Sequence, residues 1–124
     1  LTLTSNPSND SGVYFNNGTA NAGAVIYDHP NNKFKFRINS SIQFEINSDG
    51  DLLPGADNTQ DLGSTTARWA NVYSGDVHLN NTGMGGNEVD GSEGHWTMQE
   101  GADDLFLINR ITGKKYKFNL TEVS

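Results

Sequence analysis

Acids, bases and histidines are spread along this chain in patterns that fit few kinds of chemistry. The densest acidic group is Asp49, Asp51, Asp57 and Asp61. A calcium loop is the chemistry such acids would serve. The spacing fails the EF-hand template, because Gly50 separates the first two acids and no glutamate closes the loop. Solvated turn acids are the plainer reading. His29, His78 and His95 lie far apart and show no ligand spacing. Only a symmetry axis that brought three copies of His78 together would make that residue a metal ligand. Asp103 and Asp104 are consecutive, so on a strand they face opposite ways and cannot act on one bond. Gly-x-Ser-x-Gly is absent and the serines fall in turn segments. No catalytic, metal or cofactor-binding residue is assigned, and the expectation is a protein that is not an enzyme. The receptor-binding residues are not identified by the sequence.

Two further groups bear on binding. Lys33, Lys35, Arg37, Lys114, Lys115 and Lys117 hold six of the eight basic residues. They mark either a contact for an acidic polysaccharide or a solvated strand face that resists aggregation. Trp96, Tyr14, Tyr27 and His95 are the rings that would stack on a sugar, although tryptophan and tyrosine more often pack inside.

Composition narrows the partners. The net charge is −7, which disfavours nucleic acid and anionic membranes, since both need a basic face. No apolar run in these residues approaches a membrane span, and none of them reads as a signal peptide, which bears little on targeting if the N-terminus lies elsewhere. With no cysteine, disulfides and thiol chemistry are excluded. Hydrophobic residues make up 34%, with 14 glycines. A 124-residue chain this poor in apolar side chains buries a modest core alone, so oligomerisation would supply the missing burial. The chain opens on Leu1-Thr2-Leu3-Thr4, which reads as a strand, and it is expected to be part of something longer.

The elements that must position these residues are strands. Val13 and Phe15 lie two apart, and Asn16-Asn17-Gly18 supplies a hairpin signal. Gly23 to Asp28 reads as a strand, and His29 to Asn32 as a four-residue turn. Lys33 to Ile38 alternates Phe34, Phe36 and Ile38 with Lys33, Lys35 and Arg37. Ile42, Phe44 and Ile46 then alternate with Gln43 and Glu45. A four-residue loop pairs Tyr27 with Phe34 and Val25 with Phe36. A three-residue loop over Asn39 to Ser41 pairs Ile38 with Ile42, Phe36 with Phe44, Phe34 with Ile46 and Lys35 with Glu45. These three strands form a meander with one apolar face. Ser48 to Asp51 is a turn, and Leu52-Leu53-Pro54 leaves it extended. Gly75 to Leu79 is a strand, and Asn80 to Gly94 a glycine-rich loop or mobile excursion. His95 to Gln99, Asp103 to Asn109 and Lys114 to Leu120 are the last three strands. Leu105 to Ile108 is continuously apolar, which predicts cover on both faces. Tyr116 faces Leu107 or Ile108 according to loop length.

Between these halves lies Asp61-Leu62-Gly63-Ser64-Thr65-Thr66-Ala67-Arg68-Trp69, followed by Asn71-Val72-Tyr73, read as a short strand. Gly63 permits a sharp turn. Ser64 is placed to cap a helical turn over Thr65 to Trp69. Leu62, Trp69, Val72 and Tyr73 are expected to fold together as a compact corner. The segment 61–79 resembles one found in bacteriophage tail fibres and tailspikes. There it often precedes an endosialidase-type intramolecular chaperone. A second, looser resemblance to tail-fibre repeats is carried by Gly23, Ile26, Tyr27, Asp28, His29, Asn32, Phe34, Phe36, Ile46, Asp49 and Gly50. Too few residues follow Leu79 for the chaperone's long helical region and cleavage site, so self-cleavage is not carried over as an expectation: either that module has been cleaved off or the chain ends in a different tip.

The resemblance implies an all-β fold: a short-stranded antiparallel meander, a small C-terminal three-stranded sheet and a homotrimeric, fibre-like assembly. The expected organisation is a β-meander over 1–58, a connector over 59–79, and a loop with a terminal sheet over 80–124. The implied function is structural and adhesive, in a tail fibre or related virion appendage outside the cell. Its partners would be further copies, other virion proteins and a host-surface glycan. The rival reading is a monomeric, lectin-like carbohydrate-binding module.

Overall fold

The computed structural model describes residues 3, 6, 8–18 and 22–123. The expected strand over Leu1 to Thr4 lies almost wholly outside them. The described residues contain nine strands and no helix. The chain divides into two compact units, residues 1–68 and 69–124.

The first unit is a five-stranded antiparallel sheet in chain order: β1 (Ser11–Phe15), β2 (Gly23–Asp28), β3 (Lys33–Ile38), β4 (Ser41–Ile46) and β5 (Leu52–Pro54). The alternating segments become strands with the expected bounds, because period-two patterning matches the pleat. Tyr27 faces Phe34 and Val25 faces Phe36. Phe34 faces Ile46, Lys35 faces Glu45 and Phe36 faces Phe44.

The pairing nearest the β3–β4 turn differs from expectation. Ile38 faces Ser41 and Arg37 faces Ile42, with a bulge between Phe36 and Arg37. The turn is the two residues Asn39 and Ser40, at φ 50° and 64°. Two successive left-handed residues suit the right-handed twist of a hairpin. The bulge absorbs the extra residue, so the tight turn and the apolar register are both kept. The β1–β2 connection is also longer than a two-residue hairpin. Gly18 has a positive φ, yet Phe15 pairs with Gly23. Residues 19–21 of that loop are not described. The meander gains two strands over the three expected, since β1 pairs with β2 and β5 with β4.

Cross-strand pairs share a face, so the register sorts the side chains. One face carries Val13, Phe15, Val25, Phe34, Phe36, Ile38, Phe44 and Ile46, with Phe36 stacked on Phe44 at 4.3 Å. The other carries Ile26, Asp28, Lys33, Lys35, Arg37 and Glu45. The sequence predicts the first face as the interior. Yet the buried side chains lie on the second: Ile26 is 1% exposed, Asp28 2% and Ala24 4%. Ion-paired side chains cover that face, whereas Val13, Phe15, Val25, Phe34, Ile38 and Phe44 on the apolar one stay exposed.

The second unit is a four-stranded antiparallel sheet, β6 (Asp76–Asn80), β7 (His95–Glu100), β8 (Leu105–Asn109) and β9 (Lys115–Lys117). Four strands replace the expected three because β6 pairs along the length of β7, Leu79 facing Trp96 and Val77 facing Met98. Tyr116 faces Leu107, which settles the last hairpin as a four-residue loop. The run Leu105 to Ile108 is half-buried to exposed, so the chain by itself does not cover both faces of β8.

The Asp61–Leu79 segment differs most from expectation. Gly63 turns at φ 89° and Ser64 Oγ accepts hydrogen bonds from the Thr66 and Ala67 N–H groups, as a cap would. No helical turn follows, and Asn71 to Tyr73 is not a strand. Leu62, Trp69, Val72 and Tyr73 are 64–94% exposed, so the compact corner is not formed. With few apolar neighbours in sequence, these side chains find too little partner surface within one chain.

Candidate functional site

The best-built polar feature is the loop over 81–94, joining β6 to β7. Its sequence reads as a loop or a mobile excursion; it is a loop, and hydrogen bonds tie it at both ends and at its centre. The Asn81 Oδ1 accepts from the Gly94 N–H at 2.6 Å, and the Asn81 amide donates to the Ser92 carbonyl. The Asn87 Oδ1 accepts from the Val89 and Asp90 N–H groups. The Asn87 amide donates to the Asp90 carboxylate and to Ser92. The Asp90 carboxylate also accepts from the Ser92 hydroxyl and N–H. Those bonds, with Ser92 foremost, hold the Asp90 carboxyl down at about 2.

Where this loop meets the sheet lies a hollow of about 310 Å³, lined by Leu79, Asn80, Asn87, Ser92, Glu93 and Trp96. Trp96 is half-buried and its ring tilts against Tyr116 at 5.7 Å. A side chain at Gly94 would come within 3.0 Å of the Trp96 indole nitrogen. An apolar ring beside amides and a carboxylate is chemistry that suits a hydroxyl-rich ligand. A larger open hollow of about 610 Å³ follows residues 117–123. Its lysine, Lys117, is already paired with Asp104 at 3.3 Å.

A second constellation imitates a catalytic one. The Thr97 hydroxyl lies 3.0 Å from His78 Nδ1, and His78 Nε2 lies 3.9 Å from an Asp76 carboxylate oxygen. The Arg110 Nε–H donates to the same Thr97 oxygen at 2.8 Å. That direction leaves the hydroxyl hydrogen for His78. Thr97 is 0% exposed, so no substrate carbonyl can reach its oxygen. The group is a structural clamp across β6, β7 and the β8–β9 turn. Asp76 is engaged again by the Gln99 amide at 2.8 and 3.0 Å. The adjacency of Thr97 and His78 comes from strand pairing, which residue spacing alone does not signal.

Two of the other candidate residues, His29 and Tyr27, meet. His29 bonds the Ser11 hydroxyl and meets Tyr27 edge-on at 4.9 Å. Tyr27 also packs against Phe34, and Tyr14 is exposed on β1. Among the described residues, no group of three or more histidines and acids could hold a metal ion. Asp51 is held by Asn47 in a turn. Asp103 and Asp104 precede β8.

The basic strand β3 does not present a free cationic patch. Lys33 pairs with Glu45 at 2.9 Å, and Lys35 with Asp28 and with Asp10 at 3.8 Å. Arg37 keeps a buried Nε without a hydrogen-bond partner. Comparison of the chain with known protein families, with characterised proteins and with solved structures finds no match.

Proposed function

We propose that this chain is a structural and adhesive element of a virion appendage of the tail-fibre kind, which associates as a homotrimer and presents loops to a host-cell surface without a catalytic step. The observation that carries this reading is the scarcity of interior. Among the described apolar residues only Ala24 and Ile26 are buried, and both sheets leave an apolar face uncovered. A domain of this kind needs symmetry mates to complete its core. The resemblance of residues 61–79 to tail-fibre segments supports the same reading.

The 81–94 loop is the receptor-facing candidate, since its hollow combines Trp96, Glu93 and Asn80. That hollow also favours the second reading, a monomeric carbohydrate-binding module. Light scattering separates the two. A mass near three times 13.5 kDa supports the appendage, and a clean monomer that binds sugar sinks it. Attachment is tested with labelled protein on intact bacterial cells. Replacing residues 82–93 by a two-residue Asn-Gly turn should abolish binding while leaving the oligomer intact; unchanged adsorption rejects the loop as the contact.

A further inference from the structure

The two faces of the N-terminal sheet differ in a way that goes beyond hydrophobicity. The face holding Ile26 carries the charged side chains of the sheet and their ion pairs. Lys33 answers Glu45, Lys35 answers Asp28, and Ile26 and Ala24 are buried beneath. The opposite face is open. Val13, Phe15, Val25, Phe34, Ile38 and Phe44 are each 38–59% exposed. No strand position on that face holds an aspartate, glutamate, lysine or arginine.

We infer that this charge-free face, running across β1 to β4, is the surface on which further copies of the same chain pack. The inference rests on the appendage reading and adds to it the interface. Three observations choose a second copy as the occupant. The first is charge. Each chain carries −7, so copies repel one another except through a surface without ionised groups. The second is area. Two compact bodies sharing 13.5 kDa would together expose about 7,900 Å². The chain exposes 9981 Å². The surplus of about 2,000 Å² exceeds the roughly 800 Å² that one partner gives to a standard interface, and so has room for the two neighbours of a trimer. The third is shape. A hollow of about 280 Å³ opens on this side of the sheet, lined by Val13, Val25, Tyr27 and Phe34 and also by Leu3 of the same chain. It offers an apolar side chain of a neighbouring copy a place to enter.

Adjacent residues on β1 make the test. Val13 and Tyr14 are similarly exposed but lie on opposite faces. Sedimentation equilibrium on Val13→Glu and Phe34→Glu should show self-association weakened at least about tenfold, because each would bury an unpaired charge. Tyr14→Glu should assemble like the wild type. An oligomer whose dissociation constant is unmoved by Val13→Glu and Phe34→Glu overturns the interface and leaves the appendage reading standing. A wild type that stays monomeric at every concentration overturns both.

A second measurement does not depend on the charged variants folding. The chain has no cysteine, so Val13→Cys and Tyr14→Cys each accept one nitroxide. Copy-to-copy distances should be shorter from position 13 than from position 14. Equal distances, or the reverse order, overturn the assignment.

Discussion

Asp28 closes β2 with its carboxylate almost fully buried, in a position where alternation alone would allow water. Lys35 holds its oxygens, and the Asn31 N–H and amide donate to them at 3.0–3.1 Å. The Lys35 ammonium, then Asn31, bring the carboxyl from 3.8 to about 2, against the opposing pull of burial. Lys35 is raised in return by the same contact. Since the folded state binds the Asp28 proton more weakly than the unfolded chain, the stabilisation is full above about pH 4. It is lost as the pH falls from there toward 2. Asp28→Asn should therefore cost roughly 1.5–3 kcal/mol at pH 7, as loss of hydrogen bonds to a charged group does. Urea unfolding should show the gap between variant and wild type closing near pH 2. A gap that ignores pH would mean that packing, not ionisation, is what Asp28 contributes. The sequence makes Lys35 and Glu45 neighbours, and the register agrees. The ion pairs that form are instead Lys33 with Glu45 and Lys35 with Asp28, because a lysine is long enough to choose among several carboxylates around it.

The turns explain why asparagine is so frequent. Asn47 Oδ1 accepts from the Asp49 and Asp51 N–H groups, Asn87 Oδ1 from Val89 and Asp90, and Asn109 Oδ1 from Ile111 and Thr112. Each side chain replaces a backbone carbonyl and fixes the chain reversal between short strands. In a sheet with little interior, such local bonds do much of the positioning. Asn109→Ala should lower stability by about 1 kcal/mol and speed amide exchange in β8 and β9 while sparing β2 and β3. Uniform exchange across both sheets would deny the turn this local role. Gly55 shows a second local constraint. Its N–H donates to the Gln43 carbonyl, and a Cβ there would collide with the Ile42 carbonyl oxygen. Strand identity and most of the register were legible because period-two patterning is a short-range signal. The β3–β4 bulge was not, since a two-residue turn and a three-residue turn suit the same composition. The β6–β7 pairing and the Thr97 clamp were not, because both join residues across the long 81–94 loop through pairing that no motif announces.

For the whole molecule, apolar patterning is informative only when something covers it. Alternation in β2 to β4 marks one apolar face, and the run 105–108 marks two. Within one chain none of these is fully covered. On the proposed reading, further copies of the chain would supply that cover. This gives a thermodynamic signature that is independent of any single contact. If three copies fold and associate together, the unfolding equilibrium depends on the square of protein concentration. Each tenfold increase then adds about 0.9 kcal/mol per protomer. With an unfolding entropy near 2.1 cal/mol/K per residue, that lifts the melting temperature of a 124-residue chain by about 3–4 °C. Calorimetry over a hundredfold range of concentration should give a rise of roughly twice that. Val13→Glu should flatten the slope if its folded form is monomeric. A wild-type melting temperature that does not move with concentration would place the missing stability inside the single chain. The exposed faces of both sheets would then have to be explained without partners.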